Sequence, residues 1–125
     1  MEDNLQEARR YLNNAREILR EKANKDGNYY QDRKYVKLAG HAAYSGVLVA
    51  LDVLIGKKKG RKSAEWYVEN LRKIDRKALD RFNVLYDVLH LSMAYDGVLL
   101  ASVSREGINE AEELINWVEA RTAVA

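Results

Sequence analysis

The sequence YYQDRKYVKLAGHAAYSGVLVALDVLI, from Tyr29 to Ile55, decides the fold because it predicts one long helix with two apolar sides. Small residues recur on one side at spacings of four and three, so they form a narrow seam that a second helix can approach closely. The seam consists of Ala39, Ala43, Gly46, Ala50 and Val53. About half a turn away lies a second stripe that is too apolar for a face left in water. A helix of this kind belongs in the centre of a bundle.

The residues before this stretch predict a first helix that packs on it. Asp3 and Gln6 have the spacing of a capping box, which marks the beginning of a helix. The inward positions follow at spacings of three and four, and they are Leu5, Ala8, Leu12, Ala15 and Leu19. Residues 24–28 form the turn into the second helix, and Gly56 ends that helix.

Residues 63–96 contain neither glycine nor proline, and they predict two helices rather than one. Ser63 is the N-cap of the first of these helices. A single helix over this range would be about 50 Å long and would overhang its neighbour, so we expect a break near Asp75. The second piece, residues 76–95, has two apolar sides and is the other central helix. One side carries Phe82, Leu85, Leu89 and Met93, and the other carries Val84, Val88, Leu91 and Tyr95.

The chain ends in a further helix, predicted from about Arg105 to Arg121 after a short apolar connection. Its inward residues are Ile108, Ala111, Leu114, Ile115 and Val118. Together these patterns predict an all-α protein, an up-and-down helical bundle of four long helices plus one short helix, in one domain over residues 1–125. A chain of 125 residues is long enough to bury its own core.

The composition excludes several classes of function. The chain has no cysteine, which excludes a disulfide scaffold and a thiolate zinc site. A net charge of +2 gives no overall electrostatic argument for nucleic acid or an anionic membrane. The amino-terminal residues are charged from the second position, and we expect no apolar run of the length that a membrane span needs. We therefore expect a cytoplasmic location.

The loop GKKKGRKS, from Gly56 to Ser63, carries five positive charges. It is not a phosphate-binding loop of the Walker type, because three residues instead of four separate its glycines and Arg61 precedes Lys62. Its cations are still candidates for contact with the phosphates of RNA, and they are Lys57, Lys58, Lys59, Arg61 and Lys62. We favour a solvated loop, because no aromatic residues alternate with the lysines.

His41 and His90 are too few for a three-histidine metal site, and neither has HExxH spacing. We therefore expect neither a metal nor another cofactor. The eight tyrosines, against one phenylalanine, permit two interpretations. In the first, which we favour, the core boundary is lined by Tyr30, Tyr35, Tyr44, Tyr86 and Tyr95, and their hydroxyls reach water or a carboxylate such as Asp32, Asp52 or Asp96. In the second, several of them converge on a groove that holds a planar ligand or a partner's side chains. The candidate groove residues are Tyr35, Tyr44, Tyr86, His90 and Tyr95.

The second faces of the two central helices carry more apolar surface than one bundle core requires. This surplus predicts a homodimer. The candidate dimer face consists of His41, Leu48, Ile55, Val84, Val88 and Leu91.

The order of features resembles the HEPN-like helical bundles, which include nucleotidyltransferase-associated substrate-binding proteins. The resemblance rests on ARRYLNNAREIL (8–19), AGHAAYSGVLVALDVLI (39–55), the tyrosine-acid turn AYDG (94–97) and NEAEELINWVE (109–119). It implies a nucleotidyltransferase-type protein as a partner. The segment KYVxxAGxxAYxGVL, from Lys34 to Leu48, also resembles a family of short bacterial proteins whose function is uncharacterised.

Nuclease members of the HEPN group carry an arginine and a histidine separated by four to six residues. Here eight residues separate Arg81 from His90, and seven separate Arg33 from His41, so the catalytic roles are not carried over. The resemblance then implies a non-catalytic binding or scaffolding module for a protein partner, a nucleotide or RNA. The alternative is a divergent ribonuclease that uses His90 or His41.

Overall fold

The central helix predicted from the sequence is present, and further helices pack around it in the computed structural model, which describes residues 4–56, 60 and 62–123. The elements are α1 (Asn4–Lys22), β1 (Lys25–Asp26), β2 (Tyr29–Tyr30), α2 (Arg33–Ile55), α3 (Ala64–Ile74), α4 (Arg76–Leu85) and α5 (Ala101–Thr122). Between α4 and α5, the residues Tyr86–Tyr95 continue α4 as a π-helix, which we call the π segment. The predicted all-α bundle of four long helices and one short helix is confirmed.

The seam on α2 packs against α1 at very short range. Of its five residues, Ala39, Ala43, Gly46 and Ala50 are buried and Val53 is half-buried. All five inward residues predicted on α1 are buried as well. A Cβ atom built on Gly46 would lie 2.8 Å from the carbonyl oxygen of Ala8 and 3.1 Å from Cβ of Tyr11. Only a residue without a side chain fits at this crossing, as the small-residue spacing predicted.

The beginning of the central helix differs from the prediction. Helix α2 begins at Arg33, whereas Tyr29–Tyr30 form a strand that pairs antiparallel with Lys25–Asp26. Gly27 has a φ of +62° at the first of the two turn positions, which is the usual place for glycine in a tight hairpin. Asp3, the predicted N-cap of α1, lies outside the described residues.

The hairpin is attached to the segment that precedes α5. The Tyr30 N–H donates to the carbonyl of Leu99 at 2.8 Å, and the Ala101 N–H donates to the carbonyl of Asn28 at 2.8 Å. These bonds satisfy backbone groups of a segment that has no other regular structure. They also place the hairpin beside the first turn of α5.

The predicted break at Asp75 is confirmed. Asp75 ends α3, and its carboxylate accepts a hydrogen bond from the Ala78 N–H at 3.0 Å, so that it is also the N-cap of α4. Ser63 caps α3 in the same manner, with its Oγ accepting from the Trp66 N–H at 3.1 Å. Side-chain oxygens at these positions satisfy N–H groups that have no partner inside the helix.

The prediction of an α-helix over residues 76–95 is wrong from Tyr86 onward, where the π segment begins. Its wider winding is visible at Asp96, whose N–H donates to the carbonyl of Leu91, five residues earlier, at 2.9 Å. Two glycines make room for the wider helix. A Cβ atom on Gly40 would lie 2.6 Å from the Ala94 nitrogen, and one on Gly107 would lie 2.6 Å from Cγ1 of Val88. The predicted inward residues Phe82, Leu85, Leu89 and Met93 are nevertheless buried.

Helix α5 begins at Ala101, four residues before the predicted position. The apolar connection is correspondingly short, because Ala101 to Ser104 belong to the helix. The five predicted inward residues of α5 are buried, which confirms the face that it presents to the bundle.

By length and composition alone, helix α2 is long and apolar enough to cross a membrane. This corrects the expectation that no apolar run approaches that length. Within the structure, α2 is a core helix, since its buried face runs from Val36 to Leu51. Its apolar character reflects contact with other helices on more than one side.

We expect Gly46→Ala to lower the free energy of unfolding by about 1 to 3 kcal/mol, because the new methyl group meets the backbone of Ala8. Helix propensity alone favours alanine by about 1 kcal/mol and acts in the opposite direction. Urea unfolding followed by circular dichroism measures the difference. Gly107→Ala should cost less, because the atom that it meets belongs to the side chain of Val88. Equal or greater stability of Gly46→Ala would contradict the close crossing.

Candidate functional site

Three of the five residues predicted to line a ligand groove come together. The Tyr44 ring on α2 stacks on the His90 ring with centroids 4.8 Å apart, and the Tyr86 and His90 centroids are 5.0 Å apart. Tyr44 and Tyr86 meet edge to face at 6.1 Å. The π segment therefore brings Tyr86 and His90 to one side of α2.

These rings fill the space between the helices with one another. A planar ligand between Tyr44 and His90 would need centroids about 7 Å apart, twice the usual contact distance, and the observed distance is 4.8 Å. Tyr95, a fourth predicted member, is 75% exposed, and Tyr35 makes a cation–π contact with Lys34 instead. The structure thus favours the core-boundary interpretation of the tyrosines.

Burial changes the chemistry of Tyr44. Loss of hydration raises the pKa of its hydroxyl to about 12, and the neighbouring Tyr86 adds to this effect. The hydroxyl therefore stays neutral well above the pH at which a free tyrosine ionises. His90 Nδ1 is buried and has no hydrogen-bond partner among the described residues.

The Asp52 carboxylate accepts hydrogen bonds from two side chains, and neither contact was predicted from the sequence. The Tyr67 hydroxyl donates to Asp52 Oδ1 at 2.8 Å, and Lys62 Nζ donates to Asp52 Oδ2 at 2.7 Å. Burial, and then the bond to the carboxylate, raise the pKa of Tyr67. Asp52 is thus the carboxylate partner of a tyrosine hydroxyl, as in the core-boundary interpretation, but Tyr67 is not one of the five tyrosines to which that interpretation was applied.

Lys62 is therefore held by an ion pair at the beginning of α3. Its side chain is 23% exposed and also lies 6.0 Å from the centre of the Trp66 ring. The ion pair with Asp52 therefore uses one of the five cations that were candidates for phosphate contact. The others, Lys57, Lys58, Lys59 and Arg61, lie outside the described residues.

A shallow cleft of about 470 Å³ lies between the first turns of α2 and the end of the π segment. Arg33, Lys37 and His41 line it, together with Leu38 and Ala94. Arg33 also donates from Nη1 to the carbonyls of Asp96 and Gly97, at 2.9 and 3.1 Å. The structure thus brings the Arg33 and His41 pair into one cleft, whereas no hydrogen bond or ion pair joins Arg81 to His90 in the described part of the chain.

The predicted dimer face separates into exposed and packed parts. Leu48, Ile55 and Val88 are half-buried against the core, whereas Val84 and Leu91 are 51% and 38% exposed. Val84, Val88, Leu91 and Tyr95 follow one another along α4 and the π segment, and we call them the outward stripe. Val84 and Val88 also border an apolar groove of about 410 Å³ against Val103 and Gly107 of α5.

Carboxylates and histidines do not cluster in a way that would hold a metal ion. Over residues 4–56, 60 and 62–123, no group of three or more such side chains lies close enough together.

We expect alkaline pH to destabilise the protein partly through Tyr44. Its pKa is about 12 in the folded state and 10.0 unfolded, so its contribution to stability is complete below about pH 10 and is lost as the pH rises toward about 12. The slope is at most about 1.4 kcal/mol per pH unit. Urea unfolding between about pH 9 and pH 11 should show a smaller loss in Tyr44→Phe than in the wild type. The exposed Tyr95 supplies the control variant Tyr95→Phe, and an equal loss in both variants would contradict this role.

Comparison with known proteins places this arrangement among proteins of the same fold. The chain is similar to a solved structure of a protein of unknown function from Dyadobacter fermentans, with a TM-score of 0.89 and 56% sequence identity. The similarity covers 94% of this chain and 95% of that one. No curated protein matches the chain. Residues 3–120 match the family model described as domain of unknown function DUF5618, and the chain therefore belongs to that family.

Proposed function

We propose that this protein is a non-catalytic binding module that forms a homodimer through the outward stripe. The observation that carries the proposal is the exposure of large apolar side chains along one helix. Val84, Leu91 and Tyr95 are 51%, 38% and 75% exposed, although they follow one another on α4 and the π segment. Contiguous apolar surface of this kind marks a site of association.

The charges at the two ends of the stripe favour a second copy of the chain as the occupant. Arg81 precedes the stripe and Asp96 follows it, and neither side chain forms an ion pair within the described residues. In an antiparallel two-fold pairing, the basic end of each stripe meets the acidic end of the other. A two-fold interface uses the same surface on both subunits, so both ends are matched at once.

The π segment supports the same proposal. Such helices are rare and occur often at functional sites, because the wider winding changes the direction of side chains. Here the winding keeps Leu89 and Met93 buried while Leu91 and Tyr95 stay exposed. The rare winding thus lies in the element that carries most of the outward stripe.

The order of long helices, small-residue α2 and tyrosine-acid turn also supports a relation to the HEPN-like bundles. If that relation holds, a nucleotidyltransferase-type protein is the alternative partner, and the protein is located in the cytoplasm. Whether a second copy of this chain or such a partner covers the outward stripe distinguishes the homodimer from the hetero-complex.

We expect the purified chain to have twice its monomer mass in light scattering at micromolar concentration. Val84→Glu and Leu91→Glu should each give a monomer, because a charge would be buried at the interface without a partner. Both residues are exposed in one copy, so the helical circular dichroism should not change. Leu48→Glu would not be a clean test, since Leu48 packs against the core. A monomer mass for the wild type would exclude the homodimer.

A charge exchange tests the antiparallel arrangement. Arg81→Glu and Asp96→Arg should each weaken the dimer about tenfold, since each places like charges together at both ends of the interface. The double variant restores opposite charges and should regain most of the wild-type affinity. Arg76→Glu is the matched control, because Arg76 forms an exposed ion pair with Asp80 on the same helix. Failure of the double variant to recover would contradict the antiparallel pairing.

A second candidate function is RNA cleavage, which the cleft with Arg33, Lys37 and His41 favours. A histidine beside cationic groups can move a proton while the cations stabilise a phosphate. The two backbone bonds from Arg33 hold its guanidinium beside the cleft. His90 is less suited to this role, because it is stacked between Tyr44 and Tyr86.

We expect no cleavage when the purified protein is incubated with mixed RNA, because the first proposal is non-catalytic. Gel analysis of the wild type beside His41→Ala and His90→Ala distinguishes the two functions. Cleavage by the wild type that is lost in His41→Ala would replace the binding proposal by the ribonuclease. Cleavage that persists in both variants would indicate a contaminating nuclease.

A further inference from the structure

A second cleft, of about 220 Å³, lies between the carboxyl-terminal half of α1, the hairpin and the beginning of α5. Four cationic side chains line it, one of them from the hairpin and three from the two helices. They are Arg16, Arg20, Lys25 and Arg105. We call this the basic cleft. It shares no residue with the outward stripe or with the cleft at His41.

Two of these cations have carboxylate partners and two do not. Arg16 pairs with Glu112 at 3.2 Å, and Arg20 pairs with Glu21 at 3.7 Å. Lys25 and Arg105 form no ion pair within the described residues. The cleft therefore has a surplus of positive charge even after its internal pairs are counted. Since the whole chain has a net charge of only +2, this surplus is a local concentration.

The basic cleft also contains neutral donors of hydrogen bonds. Tyr30 is 9% exposed and is fixed in place by the bond from its N–H to the carbonyl of Leu99. Burial raises the pKa of its hydroxyl, and the positive charge of Arg105, which lines the same cleft, acts in the opposite direction. Asn109, one turn after Arg105 on α5, adds an amide to the lining.

Ala101, the first residue of α5, also lines the cleft, so the cleft lies beside the first turns of this helix. Leu19 and Ile108 supply an apolar floor that is almost completely buried. Charges at the rim of a site with an apolar floor act more strongly than charges that are surrounded by water.

We propose that the basic cleft binds the phosphate group of a small phosphorylated ligand. Planar guanidinium groups match phosphate oxygens in pairs, and the dianion would neutralise the two cations that lack partners. A single carboxylate would leave part of this charge uncompensated. Drug-sized ligands occupy pockets of about 300 to 1,000 Å³, so a cleft of about 220 Å³ fits a phosphate with a small organic group.

Isothermal titration with inorganic phosphate and with glycerol 3-phosphate tests the proposal, with chloride and acetate at equal ionic strength as the reference. We expect millimolar or tighter binding of both phosphates and none of acetate. Bound phosphate should also raise the unfolding temperature, because it binds only the folded state. Equal heats and equal unfolding temperatures in acetate and phosphate would overturn the proposal.

Arg105→Ala and Lys25→Ala should each weaken phosphate binding at least tenfold while the fold is retained, because both residues are exposed. Tyr30→Phe removes only the hydroxyl and should have a smaller effect. Arg76→Ala is the control, since Arg76 is an exposed arginine on α4 outside the basic cleft. The affinity of this variant for phosphate should equal that of the wild type. Wild-type affinity in Arg105→Ala would overturn the assignment of the site.

The head group of a phospholipid also carries a phosphate group, so it is the alternative to a small phosphorylated ligand. Vesicles with phosphatidate, compared with neutral vesicles, test this source by co-sedimentation. Binding to vesicles alone, without binding of free phosphate, would overturn the small-ligand proposal. Light scattering of the Arg105→Ala variant separates this site from the dimer, because its mass should equal that of the wild type.

Discussion

The close approach of the α2 backbone to its neighbours is the constraint on which the rest of the structure depends. At Gly46 a Cβ atom would lie 2.8 Å from the Ala8 carbonyl, and at Gly40 one would lie 2.6 Å from the Ala94 nitrogen. One helix is therefore in backbone contact with α1 and with the π segment at positions six residues apart. Neither crossing tolerates a side chain, so both distances fix the arrangement of the bundle.

This constraint explains why the aromatic residues pack as they do. With Gly40 against the π segment, Tyr44 one turn later lies opposite Tyr86 and His90, and the rings contact each other directly. The side of the π segment that faces α2 is then covered by these contacts. Leu91 and Tyr95 remain exposed because the buried positions on this helix are occupied by Leu89 and Met93.

The sequence predicted the helices and their inward faces well, because burial follows spacings of three and four residues. It did not predict the π segment, since the buried residues Leu85, Leu89 and Met93 recur every four residues. Four residues turn an α-helix by about 40° more than one full turn, and they turn the wider π-helix by less than one full turn. A spacing of four residues is therefore compatible with either helix. The hairpin had a local signal in Gly27-Asn28, a pair that is typical of the two turn positions of a tight hairpin. The bond from Tyr67 to Asp52 had none, because the two residues meet only through the packing of α3 on α2.

The connection between Tyr95 and Ala101 links the two surfaces that we propose to be functional. Its first residue, Asp96, lies at the acidic end of the outward stripe, and the carbonyl of Leu99 holds the hairpin that carries Lys25 and Tyr30. Gly97 has a φ of +64°, and a Cβ atom there would lie 2.5 Å from Cγ of Arg33. The path of this connection is therefore set by α2 through Arg33 and by the backbone of Gly97. The same central helix that determines the fold thus also determines the positions of both surfaces.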